Sequence, residues 1–383
     1  MKVRTIRDYA QAFSGYAFSA NDLVDVGHPV LKIGNIQNYH IEKETESFYN
    51  GEITEKIRKY QLQKEDFLIA MTGAGSVGRA GKMIDFEEGY LVNQRVAIIR
   101  PYIEKTDSRY LFYYFSMNYV EKYLYNLGIG AGQPNISAND ILKTKVLFPE
   151  LDKQRKIGEI LSVYDELIEN NNKRIKILEQ MAENLYKEWF VRFRFPGHET
   201  TEFENGLPKG WLIEKVKNCV RRLPFNRLYK ANELEKEGNV IVIDQSSDAY
   251  LGFHNNEPSH YADFCKPIIL FGDHSCKFKL MCKSFSLGEN VIPFSSKDET
   301  NINTFFLYYS VYKLITTEEY KRHWGRFVNM KILIPSIVLQ NQFAKKVVVI
   351  TQQIENLWVQ NQNLIKQRDM LLPRLMSGKL EVN

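Results

Sequence analysis

The polar–apolar pattern of this chain changes period along its length, and the changes come in the same order twice. Short apolar runs separated by Gly, Asn and Asp read as strands joined by turns: "VLKIGNI" (30–36), "DFLIAMT" (66–72) and "YLVNQRVAIIRP" (90–101). "RYLFYYF" (109–115) reads as an aromatic helix. After "KTKVLFP", which ends at Pro149, the period becomes 3.5. Ile157, Leu161, Tyr164, Ile168, Asn171, Ile175, Leu178, Ala182, Leu185 and Trp189 follow in steps of four and three, a seam sustained over four heptads.

The second half repeats the first. "NVIVIDQ" (239–245), "CKPIILFGD" (265–273) and "TFFLYYS" (304–310) match the earlier runs. "NMKILIP", ending at Pro335, precedes a second seam of Phe343, Val347, Ile350, Ile354, Leu357, Asn361, Leu364, Arg368, Leu371 and Leu375. The seams are offset by 186 residues, and five residues past each proline stands a glutamine, Gln154 or Gln340. The pattern predicts globule, long helix, globule, long helix. A seam this long points to helices that pack on each other; the alternative is two amphipathic helices, each packed on its own globule.

Charge adds little. The net charge is +5, and the globules are balanced, with 18 basic against 18 acidic residues over 1–150 and 18 against 17 over 196–335. Any surface for nucleic acid must come from local arrangement. No apolar run of about 18 residues exists to span a membrane, and "MKVRTIRDYAQ" lacks the apolar centre of a signal peptide, so a cytoplasmic protein is expected. Cys219, Cys265, Cys276 and Cys282 form no C-x-x-C pair, and their spacing with His274 fits no zinc pattern; free thiols and no metal are expected.

One motif suggests chemistry. Gly73, Gly75 and Gly78 in "AMTGAGSVGRAGK" spell G-x-G-x-x-G after a strand-like run. A dinucleotide site needs a long helix after the third glycine and an acid about 20 residues on. Gly81 and Gly89 leave room for no such helix, and Arg95 stands where the acid belongs. The glycines are expected to join β-elements. Walker A fails as well, since Ser76 replaces its first glycine. No Pro-Pro or Pro-Asp pair exists, which removes the usual amino-methyltransferase core and the common nuclease core. No catalytic constellation is predicted.

With the repeat in view, the chain resembles the specificity subunit of type I restriction-modification systems. The resemblance covers essentially the whole length and rests on "GQPNISANDILKTKVLFPELDKQRKIGEIL" (132–161), "LIENNNKRIKILEQMAENLYKEWF" (167–190), "GLPKGW" (206–211) and "LLPRLMSGKLEV" (371–382). It implies an α+β chain: two mixed α/β target recognition domains, 1–149 and 196–335, and two long antiparallel helices forming a coiled coil, within 150–195 and 336–383. It further implies a non-catalytic subunit that reads a split double-stranded DNA target. The helices would dock DNA methyltransferase subunits, two of them, and through these the restriction and translocase subunits. S-adenosylmethionine and ATP would belong to those partners, leaving no cofactor here. The glycine-poor "GDHSCKFK" departs from the family's pattern.

Antiparallel helices centred on each other pair residues whose numbers sum to about 532, which puts Asn171 opposite Asn361 as a register-fixing pair and Arg368 opposite Tyr164 or near the helix end. The seam over 157–189 is roughly 50 Å long at 1.5 Å per residue. That spans on the order of 15 base pairs at 3.4 Å each. The candidate DNA contacts are Arg79, Lys82, Asn93, Gln94 and Arg95 in the first globule, then Arg221, Arg222, Arg227, Lys321, Arg322, Trp324 and Arg326 in the second. Arg, Asn and Gln can read base edges with paired hydrogen bonds, whereas Lys chiefly meets phosphate. A stand-alone DNA-binding regulator is the competing reading.

Overall fold

The structure, a computed structural model, describes residues 3–130, 132–246, 250–316 and 321–382. Its contacts divide the chain into two compact units, Met1–Lys173 with Leu357–Asn383, and Arg174–Asn356. Each unit holds one globule and its own stretch of both long helices, Leu151–Tyr186 and Ile337–Met376.

The first globule is built on β1 (Ala10–Ser14), β2 (His28–Leu31), β3 (Tyr39–His40), β4 (Phe67–Ala70), β5 (Ala80–Lys82), β6 (Leu91–Val92) and β7 (Val96–Pro101). Its main sheet runs β1-β7-β4-β5-β3, antiparallel except for the β3–β5 edge, while β2 pairs with β6 in parallel. The unbroken apolar run "FLIA" is explained by burial on both faces. Phe67 and Ile69 pack with the aromatic helix, whereas Leu68 faces Leu31, Leu62 and Val92.

The aromatic helix, Ser108–Phe115, starts at Asp107, whose carboxylate accepts the Tyr110 N–H at 2.9 Å. The first long helix crosses close to this start. A Cβ on Gly158 would lie 2.4 Å from the Asp107 carboxylate and 3.1 Å from the Tyr110 nitrogen, so glycine here permits the approach.

The second globule repeats the plan with β8 (Val220–Arg222), β9 (Val240–Ile243), β10 (Ile268–Gly272), β11 (Phe278–Met281), β12 (Phe285–Leu287) and β13 (Val291–Ser296). The order β8-β13-β10-β11 matches β1-β7-β4-β5, and β9 pairs β12 in parallel as β2 pairs β6. Thr304–Val311 is the matching aromatic helix, capped by Asn303.

Every seam position on both helices is buried or half-buried. In the first unit the Asn171 amide donates to the Asn361 side-chain oxygen at 2.9 Å, and Asn361 donates on to Asn172 at 2.8 Å. Two turns further, Arg368 meets Asp165, a single residue along the helix from Tyr164. This pair is almost fully buried, and Tyr113 of the aromatic helix donates to the same carboxylate, with the guanidinium lying over the Tyr39 ring. The network fastens the globule to both helices. In the second unit the corresponding positions are Tyr309, Thr351 and Ala182, which carry no charge.

Removing one partner of a buried ion pair leaves the other charge unpaired, at a cost of about 3–5 kcal/mol. Arg368→Ala is therefore expected to lower the stability of the first unit by that amount in thermal unfolding. Pairing it with Asp165→Thr, the neutral set of the second unit, should recover most of the loss.

Candidate nucleic-acid interface

The glycine stretch is the turn of a β-hairpin. β4 and β5 are antiparallel, with Leu68 opposite Gly81 and Ile69 opposite Ala80. A Rossmann glycine loop leads from a strand into a helix, so this turn has the wrong geometry for a dinucleotide. The three glycines have different reasons. Gly73 and Gly78 have φ of +111° and +86°, and a Cβ on Gly78 would lie 2.8 Å from the Glu121 carbonyl oxygen. Gly75 has open space around it at the exposed tip, beside Ala74.

Two further segments meet this turn through backbone hydrogen bonds. The Met71 N–H donates to the Arg95 carbonyl at 3.1 Å, and the Ile136 N–H donates to the Met71 carbonyl at 2.9 Å. Gly73 likewise donates to Pro134 at 3.2 Å. The hairpin tip, the β6–β7 turn of Asn93, Gln94 and Arg95, and the 132–135 loop thus lie side by side.

The second globule makes the same bonds. Asp273 donates to the Asn290 carbonyl at 2.9 Å, and His323 donates to the Asp273 carbonyl at 2.8 Å. Gly78 donates to Ala70 at 3.0 Å in the first hairpin, and Cys276 to Gly272 at 2.9 Å in the second. Cys276 even shares the left-handed backbone of Gly78, at φ +54°. The second hairpin tip is simply shorter, which explains the missing glycines of "GDHSCKFK".

The family described as Type I restriction modification DNA specificity domain matches residues 1–180. A Methanocaldococcus jannaschii protein carrying the provisional name type I restriction enzyme MjaX specificity subunit is 22% identical, aligned over 100% of this chain and 94% of its own length. The type I restriction enzyme MjaIX specificity subunit of the same organism is 26% identical over 72% of this chain and 69% of its own. The crystal structure of the type I restriction-modification S subunit from M. genitalium superposes with a TM-score of 0.55 at 14% identity, covering 100% of this chain and 96% of that one, and so shares the fold. Residues 1–180 belong to the type I restriction modification DNA specificity domain family, and the whole chain is similar to type I restriction specificity subunits.

A specificity subunit is not itself an enzyme, and its surface has to be judged as a DNA-reading surface. Gln94 and Arg95 are exposed and Asn93 half-buried, all on the turn described above. Arg79 follows the hairpin tip, but its Nε is buried without a hydrogen-bond partner, and desolvation lowers the guanidinium pKa. Lys82 lies elsewhere. Its ammonium is buried between Glu65 at 3.4 Å and Ser108 at 3.3 Å, and desolvation lowers its pKa although Glu65 opposes the shift. Half-buried and paired, Lys82 lines a cleft of about 870 Å³ beside the aromatic helix.

In the second globule the two basic clusters converge. The Arg222 guanidinium lies 4.6 Å from the Phe225 ring and 5.9 Å from the Trp324 ring. Trp324 itself packs edge-on against Phe294 and near Phe271 and Phe327, as part of the core's rim. Arg221, Lys321, Arg322 and Arg326 are exposed around it. Arg227 stands apart, paired to Glu233 at 3.1 Å and stacked over Tyr229. Cys265 is exposed and the other cysteines are buried, with burial pushing the Cys282 thiol up to about 12. Among the described residues no metal-binding cluster forms, and no helix is long and apolar enough to cross a membrane.

Sequence reading passed over Gln133 and Asn135, both exposed on the 132–135 loop. Aligning "PNIS" with "KRHW", one residue off the helix offset, would have set Asn135 against Arg322 and drawn attention to it.

The glycines separate fold from surface. Gly78→Ala forces a backbone clash in a left-handed turn and is expected to lower stability by about 1–3 kcal/mol in thermal unfolding. Gly75→Ala is expected to change the unfolding temperature little. Equal losses for the two would contradict the assignment.

Proposed function

We propose that this specificity subunit reads a bipartite DNA target, one half-site with each globule, and docks two DNA methyltransferase subunits on its long helices. Residues 1–149 and 196–335 are the recognition domains, and 150–195 and 336–383 supply the helices and the tail. The observation that carries this reading is the recurrence of one backbone frame, with exposed Arg and Asn side chains on it, in both globules. Two equivalent reading surfaces on one chain suit a split target, and the side-chain types are those that bond base edges and phosphates.

Docking is supported by apolar residues that neither globule covers. In the first unit Ile160, Val163 and Leu167 are exposed on the first long helix at spacings of three and four. In the second unit Ile177 and Met181 are exposed at a spacing of four. A helical stripe of this kind fits a partner helix, and it favours a subunit that works in a complex over a stand-alone regulator. The restriction subunits would be reached through the methyltransferases. S-adenosylmethionine and ATP would be bound by those partners. Such a complex works in the cytoplasm.

Co-expression with the cognate methyltransferase is expected to give a stable complex that methylates adenines in a split motif; a chain that binds its site tightly alone and retains no methyltransferase would favour the regulator. Removing matched heptads from both helices is expected to shorten the spacer between the half-sites without changing either one. Sequencing of methylated adenines reads this out, and a change in half-site identity would sink the idea that helix length sets the spacer.

A further inference from the structure

The shared backbone frame allows the two reading surfaces to be compared post by post. Three positions are fixed by the same bond in each unit. The carbonyl accepting from the hairpin residue belongs to Arg95 in the first unit and to Asn290 in the second. The residue before the one that donates to the hairpin is Asn135 in the first and Arg322 in the second. The turn itself begins with the same bond, Asn93 to the Leu31 carbonyl at 2.9 Å and Gly288 to the Ile243 carbonyl at 2.8 Å.

At these posts the side chains have changed places. The first unit carries Arg on the turn and Asn on the last loop, and the second carries Asn on the turn and Arg on the last loop. All four are exposed. Among the described residues, the Arg95, Asn135 and Asn290 side chains make no hydrogen bond or ion pair. Arg322 has, among the described residues, the Asp273 carboxylate 3.9 Å away, with its side chain 80% exposed. Their backbones are held while their polar ends are uncommitted, which suits groups that bond a partner. Arg presents a fork matched to guanine O6 and N7, and the Asn amide matches adenine N6 and N7.

Building on the proposed DNA-reading function, we propose that each unit reads one guanine and one adenine with an exchanged pair, Arg95 with Asn135 in the first half-site and Arg322 with Asn290 in the second. Because the frame is common and the residue types are swapped, the guanine and adenine stand in opposite order in the two half-sites, each taken in the orientation of its own domain.

The test is sequencing of methylated adenines in cells expressing the subunit with its cognate methyltransferase, for the natural chain and four variants. Arg95→Ala and Asn135→Ala are each expected to make one position of the same half-site degenerate, a guanine and an adenine respectively. Arg322→Ala and Asn290→Gly should do so in the other half-site; glycine at 290 keeps the left-handed backbone (φ +61°) while removing the amide. Discrimination at the affected position should fall by on the order of 10- to 100-fold. The unaltered half-site in each variant reports a folded, assembled subunit. Variants that keep the whole motif and merely methylate less everywhere would show phosphate contacts and overturn the proposal. So would a degenerate position whose natural base is not the one assigned. A natural chain that yields no split motif at all would instead overturn the proposed function.

Discussion

Each globule is fastened to its helix by one buried glutamine. Gln154 donates to the Pro149 carbonyl at 2.8 Å and accepts from the Thr106 hydroxyl at 2.7 Å and the Asp107 N–H at 3.2 Å. Gln340 does the same work in the second unit, donating to Pro335 at 2.8 Å and Asn301 at 3.1 Å and accepting from the Asn303 N–H at 2.9 Å. Each amide joins three things: the proline that precedes the long helix, the first turn of that helix, and the residue that caps the aromatic helix. A buried amide is costly unless satisfied, and here both its ends are bonded. The aromatic helix packs on β4 in one unit and its partner on β10 in the other, so the latch also fixes the sheet that carries the reading turns.

The repeat was legible where length is conserved and hidden where it is not. The seams, the prolines and the two glutamines recur at one offset because a helix tolerates no insertion without rotating its apolar face. Loops tolerate them well. The offset is 186 residues at Gln154 and Gln340 but 212 between Leu31 and Ile243, which occupy the same place in the two sheets. Spacing therefore identified the helices and the aromatic helix, and the apolar runs identified most central strands. It did not align the turns, since the hairpin tip is several residues shorter in the second globule. Candidate residues chosen by type and proximity in sequence followed from that limit: Lys82 was included because it follows the glycines, and Asn135 was missed because 40 residues separate it from Arg95.

The two units differ most in how each grips the helices. The first uses Asp165, which accepts from both Arg368 and Tyr113, with all three buried. The second has Thr351, Ala182 and Tyr309 at those places. A buried ion pair adds little net stability over a well-packed neutral set, because desolvation offsets the attraction, but it penalises any arrangement that separates the charges. Together with the Asn171–Asn361 amide pair it leaves the stretch of helix in the first unit with one satisfactory register. Sliding the helices by a turn would strand two charges and two amides in an apolar seam.

The frame that presents the reading side chains is made of main-chain bonds, and this has a consequence for how specificity can change. A frame built of side chains would have to be rebuilt whenever a base-contacting residue was replaced. Here the bonds from Met71 to Arg95 and from Ile136 to Met71 use only N–H and C=O groups, which any residue except proline at the donor supplies. The second unit makes the same main-chain bonds through Asp273, Asn290 and His323 with unrelated side chains, and there the Asp273 carboxylate adds bonds from the His323 and Trp324 N–H groups. The physical demands of the fold therefore fall on the glutamine latch, the seam and the left-handed hairpin residue. The side chains at positions 95, 135, 290 and 322 carry none of that load apart from the left-handed backbone at Asn290, so they are the positions at which a new target can be written without unfolding the reader.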